Sequence, residues 1–305
     1  MPRMSRPRVA DGRPRGARTA RNPRWNRIAG AVTTAKPVRY PSERPRGGAP
    51  FWSDQVRKIA DVRDDIVRDN SEISRVLAIA AHPDDLDFGA AGTIAAWTGD
   101  GIDVVYCLVT DGDAGGFDES FPRAEMASLR RAEQLAAATC VGVHDVRFLG
   151  YPDGRVEATL GLRRDLARVI RQVRPDRVVC PSPERNYARI GASHPDHRAV
   201  GSAALDAVYP DARNPFAFPE LRAAEGLEAW TVPEVWMSAS PTPDHYVDVT
   251  KTFQRKIAAL REHKSQTAHL ADLEERLRGW LGANASRAGL PDGSLAEAFQ
   301  VLIIP

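Results

Sequence analysis

The chain has 305 residues, of which 43% are hydrophobic and 27% charged, with a formal net charge of +2 at pH 7. That is room for one large domain with a sizeable core, in proportions ordinary for a globular protein. No apolar run reaches the ~20 residues that span a bilayer, and no leader-like apolar stretch stands near the N-terminus, so membrane proteins are excluded and a cytoplasmic location is expected.

The small net charge hides an asymmetry. Thirteen of the 42 Arg and Lys residues, but only two of the 40 acids, lie within residues 1–48. That segment is rich in Arg, Pro and Gly and has almost no apolar periodicity. It is expected to form a disordered basic tail, because it has too little apolar surface to offset the entropy of ordering. Clustered cations suit nucleic-acid phosphates, but the tail lacks interleaved aromatics and any binding-domain signature, so a nucleic-acid partner is disfavoured. Residues 49–71 form the next unit, a lead-in helix. Within it Val56, Ile59, Val62 and Ile66 recur at helical spacing after a capping Ser53.

From residue 72 to 305 the pattern becomes that of an α/β domain with a C-terminal extension. RVLAIAA (75–81) is a short continuous apolar run, as expected of a strand covered on both faces. Segments 103–110, 145–150 and 177–183 read the same way, with helical stretches at 123–139 and 160–173 between them. Alternation of this kind predicts a Rossmann-like parallel-sheet sandwich with helices on both faces. A helix over 198–208, strands at 234–240 and 245–250, a helix over 252–263 and a terminal strand in AFQVLIIP complete the expectation. Cys107, Cys140 and Cys180 are odd in number and sit among apolar neighbours, which reads as buried thiols rather than a disulfide frame or a metal set.

Two short segments carry chemistry. AHPDD (81–85) follows the first strand, and SHPDH (193–197) follows the fourth and opens a helix. Ligands gather at the carboxyl ends of strands in such sheets, so two segments a hundred residues apart can converge. Zinc that does chemistry takes three His or carboxylate ligands and keeps one position open. His82, Asp85 and His197 supply that set, one ion per chain, although iron or another divalent ion also suits it. Asp84 is left free to act as general base on a water at the open position. His194, three residues before His197, is placed to protonate the departing amine or to steady an oxyanion. Either segment alone is an ordinary turn; the pairing gives the reading its force.

AHPDD, TDGDAGG, LRRAE, GYPDG and SHPDHRAVG occur in the order in which they resemble the PIG-L/LmbE family of zinc-dependent N-acetylglucosaminyl deacetylases, over residues 74–265. The resemblance implies a Rossmann-like fold, zinc, and hydrolysis of an N-acyl bond on an amino sugar or GlcNAc-type glycoside, a small-molecule partner. An amidase of the mycothiol-conjugate type on the same site, or a non-catalytic sugar-conjugate binder, is the alternative. Roles carried over make His82, Asp85 and His197 the ligands, Asp84 the base and His194 the acid or oxyanion residue. Arg130 and Asp153 become substrate-binding residues. There are two departures. Leu86 stands where the family often has an acid after HPDD, with Asp87 following. Ala192 stands where some members have a Tyr that steadies the oxyanion, leaving zinc, His194 or a loop residue such as Tyr187, Asn186 or Arg189 to cover that task. His263, at a predicted helix end, could reach the site through the HKSQ turn, but reads first as a C-terminal cap favouring positive charge.

Overall fold

A computed structural model describes residues 69–116 and 120–304; the basic tail and the lead-in helix expected before residue 69 lie outside the described residues. Seven strands form one sheet: β1 (Arg75–Ala80), β2 (Asp103–Thr110), β3 (Asp145–Tyr151), β4 (Arg177–Pro181), β5 (Glu234–Ser238), β6 (His245–Asp248) and β7 (Ala296–Ile303). Their order is β3-β2-β1-β4-β5-β7-β6. All seven segments were legible as strands, and the reason shows in their burial. Every residue of β1 after Arg75 is buried, and alternate residues serve opposite faces.

Leu77 and Ile79 pack with Leu162, Leu166 and Ile170 of helix α4 (Leu160–Val173) and with Val200 and Ala203 of α5 (Pro195–Asp206). Val76, Ala78 and Ala80 face Ile94 and Trp97 of α2 (Ala91–Gly99) and Ala137 and Ala138 of α3 (Arg123–Cys140). Helices therefore cover both faces, and each fully buried Leu or Ile contributes roughly 1.5–3 kcal/mol. Cys107 and Cys180 are buried free thiols within these layers. Among the described residues no helix is long and apolar enough to cross a membrane.

The α/β sandwich is as expected, and its sheet is mixed at one edge. Strands β1 to β5 pair in parallel, but β7 pairs antiparallel with both β5 and β6. Trp236 lies opposite Val301, and Tyr246 opposite Ala298. The last strand thus inserts between two earlier ones, which makes the C-terminal stretch part of the sheet rather than an appendage. Before it come α6 (Pro219–Ala223), α7 (Phe253–Glu262), α8 (Lys264–Thr267) and α9 (Leu273–Arg287). Leu273, Leu277 and Leu281 of α9 pack with Phe253, Ile257 and Leu260 of α7 in a third core.

β1 and β4 are neighbours in space, while β2 and β3 run off on one side and β5 on the other. This is the switch point at which open α/β sheets bind ligands. The turn after β1 leads into α1 (Asp85–Gly89), and the loop after β4 leads into α5. Helix α5 approaches β4 so closely that a Cβ on Gly201 would lie 2.2 Å from the carbonyl oxygen of Pro181. Only glycine permits that approach, and through it α5 brings its N-terminus over the end of β1.

Candidate metal centre and active site

The turn after β1 is held in an uncommon shape. Asp84 has φ 94°, a left-handed conformation that costs a non-glycine residue of order 1–3 kcal/mol. Its surroundings fix it there: the Asp84 N–H donates to Gln134 Oε1 at 3.0 Å, and the His82 N–H donates to Asp85 Oδ2 at 2.8 Å. At the second motif His194 caps α5, with Pro195 in the first turn. The Asp196 N–H donates to His194 Nδ1 at 3.2 Å, which leaves the proton of a neutral His194 on Nε2.

The two motifs converge. His82 Nδ1 lies 3.2 Å from His197 Nε2 and 3.5 Å from Asp85 Oδ2, and His197 Nε2 lies 2.9 Å from Asp85 Oδ1. Ligands placed tetrahedrally at ~2.0–2.2 Å from zinc stand about 3.3–3.6 Å apart, so this spacing fits one small divalent ion. The remaining ring nitrogens are held from behind, as ligating imidazoles require. His82 Nε2 is 3.0 Å from Asp153 Oδ1 and 3.2 Å from Asp196 Oδ2, and His197 Nδ1 is 3.3 Å from the Ala192 carbonyl.

Among the described residues two further groupings lie close enough to hold a metal: His82 with His194 and His197, and His82 with Asp153 and Asp196. The second is a His/Asp/Asp cluster whose carboxylates are both buried and already accept backbone bonds. Asp196 accepts from the N–H groups of Gly154 and Val156, at 2.7 and 3.2 Å, and Asp153 accepts from that of Ala114 at 2.9 Å. Asp196 therefore ties the YPDG turn to the second motif. Sequence reasoning passed over it, although its place inside SHPDH was the available signal. Asp153, expected to bind substrate, has one carboxylate oxygen on His82 and the other on the Ala114 amide.

Charge follows this geometry. Burial opposes a proton on His82, but its bonds to Asp153, Asp196 and Asp85 outweigh that and raise it to about 12. His197 is likewise raised, Asp85 overcoming the cost of burial. Both shifts favour a proton where a cation would sit. Burial, helped by the charge of Asp85, raises Asp84 to about 7. His194 moves the other way, lowered by burial and by the charges of His82 and His197. A neutral imidazole donating from Nε2 suits the oxyanion role better than that of a charged acid.

Arg130 of α3 is buried, and its Nε has no hydrogen-bond partner. The glycine-rich loop 110–116 makes its cradle: a Cβ on either Gly112 or Gly115 would lie 2.3 Å from a guanidinium nitrogen. A buried guanidinium with donors to spare is what a polar ligand needs for orientation.

Both departures from the family pattern resolve physically. Asp87 takes up the place one residue on from Leu86: its Oδ2 lies 2.8 Å from His263 Nε2 and accepts from Gln134 Nε2 at 2.9 Å. The same Gln134 holds the Asp84 amide, so Asp87 and His263 brace Asp84 from behind. His263 stands at the C-cap of α7 as expected, and its side chain turns inward, fully buried against Asp87. At Ala192 the backbone carbonyl is used, on His197. Of the residues proposed to replace a Tyr there, Tyr187 is 84% exposed, Asn186 accepts from the Arg189 N–H, and Arg189 stacks over Trp280.

A cavity of about 590 Å³ opens beside Asp85 and His197 and is lined on its far wall by Leu273, Leu277 and Trp280 of α9. Asp84, Arg130, Asp153 and His194 are not among its lining residues.

Residues 77–208 match the family model described as PIG-L, GlcNAc-PI de-N-acetylase. The chain is 34% identical over 196 residues to diacetylchitobiose deacetylase of Thermococcus kodakarensis, covering 64% of this chain and 71% of that one. It is 31% identical over 200 residues to a probable N-acetyl-alpha-D-glucosaminyl L-malate deacetylase 2 of Bacillus anthracis, covering 63% and 81%. Among solved structures it is similar to N,N'-diacetylchitobiose deacetylase from Pyrococcus horikoshii, with a TM-score of 0.73 and 28% identity, covering 85% of this chain and 95% of that one.

Proposed function

This chain belongs to the PIG-L family of GlcNAc-PI de-N-acetylases, and from that membership we propose that it is a metal-dependent hydrolase removing the N-acetyl group of a GlcNAc-type amino sugar. One observation carries the reading: His82 Nδ1, His197 Nε2 and the Asp85 carboxylate converge within 2.9–3.5 Å. Each imidazole is held from behind by an acceptor.

His82, Asp85 and His197 are the residues that would hold the ion, and zinc, one per chain, is the ion such a set suits. When bound, the ion supplies positive charge to the amide carbonyl and acidifies the attacking water. Asp84, beside the triad and poised near neutrality by its burial, takes a proton from that water as its oxygen bonds to the carbonyl carbon. His194 donates from Nε2 to the negative charge growing on the carbonyl oxygen. The proton on Asp84 then passes to the nitrogen as the C–N bond breaks, releasing acetate and the free amine. Arg130 gives its unpaired guanidinium donors to the sugar. Asp153 first orients His82 and offers a sugar hydroxyl the lone pairs that remain.

Release of free amine from a panel of N-acetylated glucosaminides, with and without a chelator, tests this. Turnover should vanish on chelation and return with about one zinc per chain. Full activity in the chelated protein overturns it. Two ions per chain would favour a phosphoesterase, and tight sugar binding with no amine release a non-catalytic binder. An amidase of the mycothiol-conjugate type would use the same atoms on a larger acyl group.

A further inference from the structure

We infer that the cavity beside Asp85 and His197 is an acyl-chain subsite, and that the substrates best suited to this protein carry an apolar N-acyl group longer than acetyl. The inference rests on the hydrolytic reading above and concerns what the other side of the amide must be.

The site has two flanks, separated by the β1–β4 crevice. On one stand Arg130 of α3, the glycine-rich loop after β2 and Asp153 after β3. On the other stand Phe88 and Gly89 of α1, Pro181 at the end of β4, Ser238 and Ala239 at the end of β5, and α9. The strand order β3-β2-β1-β4-β5 puts these flanks on opposite sides of the ligand triad. A planar trans amide likewise sends its nitrogen substituent and its acyl group to opposite sides of the carbonyl carbon. A sugar held by Arg130 and Asp153 therefore directs its acyl group towards α9.

The lining there does not suit a sugar. Phe88, Leu270, Leu273, Leu277 and Trp280 present apolar surface, while the charged Arg189 and Arg276 are exposed and stand at the rim. Arg189 is further occupied, stacked 4.3 Å over the Trp280 ring, and Arg276 pairs with Asp272. An acetyl methyl fills only a small part of about 590 Å³, and an apolar wall left against water forgoes the burial that a longer chain would supply. The chemistry is unchanged: water adds to the carbonyl, the C–N bond breaks, the amine keeps the proton, and the long-chain carboxylate leaves in place of acetate.

The test is a series of N-acyl glucosamines from acetyl to octanoyl, assayed with the zinc-loaded full chain. kcat/KM should rise about fourfold per methylene over the first few carbons. Trp280→Ala and Leu270→Asp, both at half-buried positions, should each lower the octanoyl-to-acetyl ratio at least tenfold. The metal-free protein should bind octanoate at least tenfold more tightly than acetate by calorimetry. A rate that falls beyond acetyl, or octanoate and acetate binding alike, overturns the inference. A chain-length gain seen instead for N-acetylglucosamine carrying alkyl groups on its anomeric oxygen also overturns it, giving the cavity to the aglycone. If no N-acyl sugar is hydrolysed, the hydrolytic reading fails, while the octanoate titration still decides the nature of the cavity.

Discussion

The two flanks of the site are built by different means. The flank over β2 and β3 consists of short loops after the strands, each presenting one or two polar groups to the site. Gly112 and Gly115 make room for Arg130, and Asp153 grips His82 from the turn after β3, joined there by Asp196 from the first turn of α5. The flank over β4 and β5 depends on tertiary packing, with α9 brought to the mouth by leucines buried against α7. Groups that handle the reaction are thus fixed by rigid turns, whereas the wall that would choose the acyl group is a helix face whose side chains can change without disturbing a ligand. Damage on the first flank should strike every substrate alike, and damage on the second should re-rank them.

The sharpest break of that comparison is Asp84→Asn. It should keep the metal, measured by elemental analysis, and lose turnover by about 10²–10⁴-fold on all acyl lengths, the range typical of a lost general base. A variant as active as the parent would remove Asp84 from the mechanism. Asp196→Asn comes next, because it weakens the acceptor behind His82 without touching the ion. Metal affinity should fall about 10–100-fold, read by competition with a chromophoric chelator, while the circular dichroism stays that of the parent.

Arg130→Lys should lower kcat/KM roughly tenfold, through the loss of charge-assisted bonds. The loss should fall mainly on KM and equally on short and long acyl substrates; a loss confined to long ones would move Arg130 to the other flank. The mildest expectation concerns protons. His82 and His197 are raised in the metal-free protein, so an entering cation must displace protons. Affinity for zinc should therefore rise with pH and fall as the solution is acidified. Titration calorimetry in buffers of differing ionisation enthalpy should show net proton release, and an absence of release would contradict the raised proton affinity of His82.

The same contrast decides what could be read from the chain. The strands were legible because each is a short apolar run buried on both faces. HPDD and HPDH were legible because each sets imidazole and carboxylate a few residues apart at a strand end, where they can turn towards one point. Helix α2 was not: Ala91–Gly99 is buried almost all round, so it shows no apolar stripe to mark it. The reversed β7 was recognisable as a strand, but its direction depends on how α9 returns the chain. Nor does the Asp87–His263 contact leave a local trace, since 176 residues separate its partners. Asp196 was within reach, and its role follows once the first motif's imidazole is seen to need an acceptor for its second nitrogen.

The close contact of Gly201 with the Pro181 carbonyl sets a tolerance for the whole centre. The gap between two imidazoles 115 residues apart in the chain is gauged by a missing methyl group on a helix turn that holds no ligand itself. A single added carbon there would act as a shim, tilting α5 outward and spreading the jaws that must close on the ion. Metal retention in Gly201→Ala would fall with every ligand still in the chain.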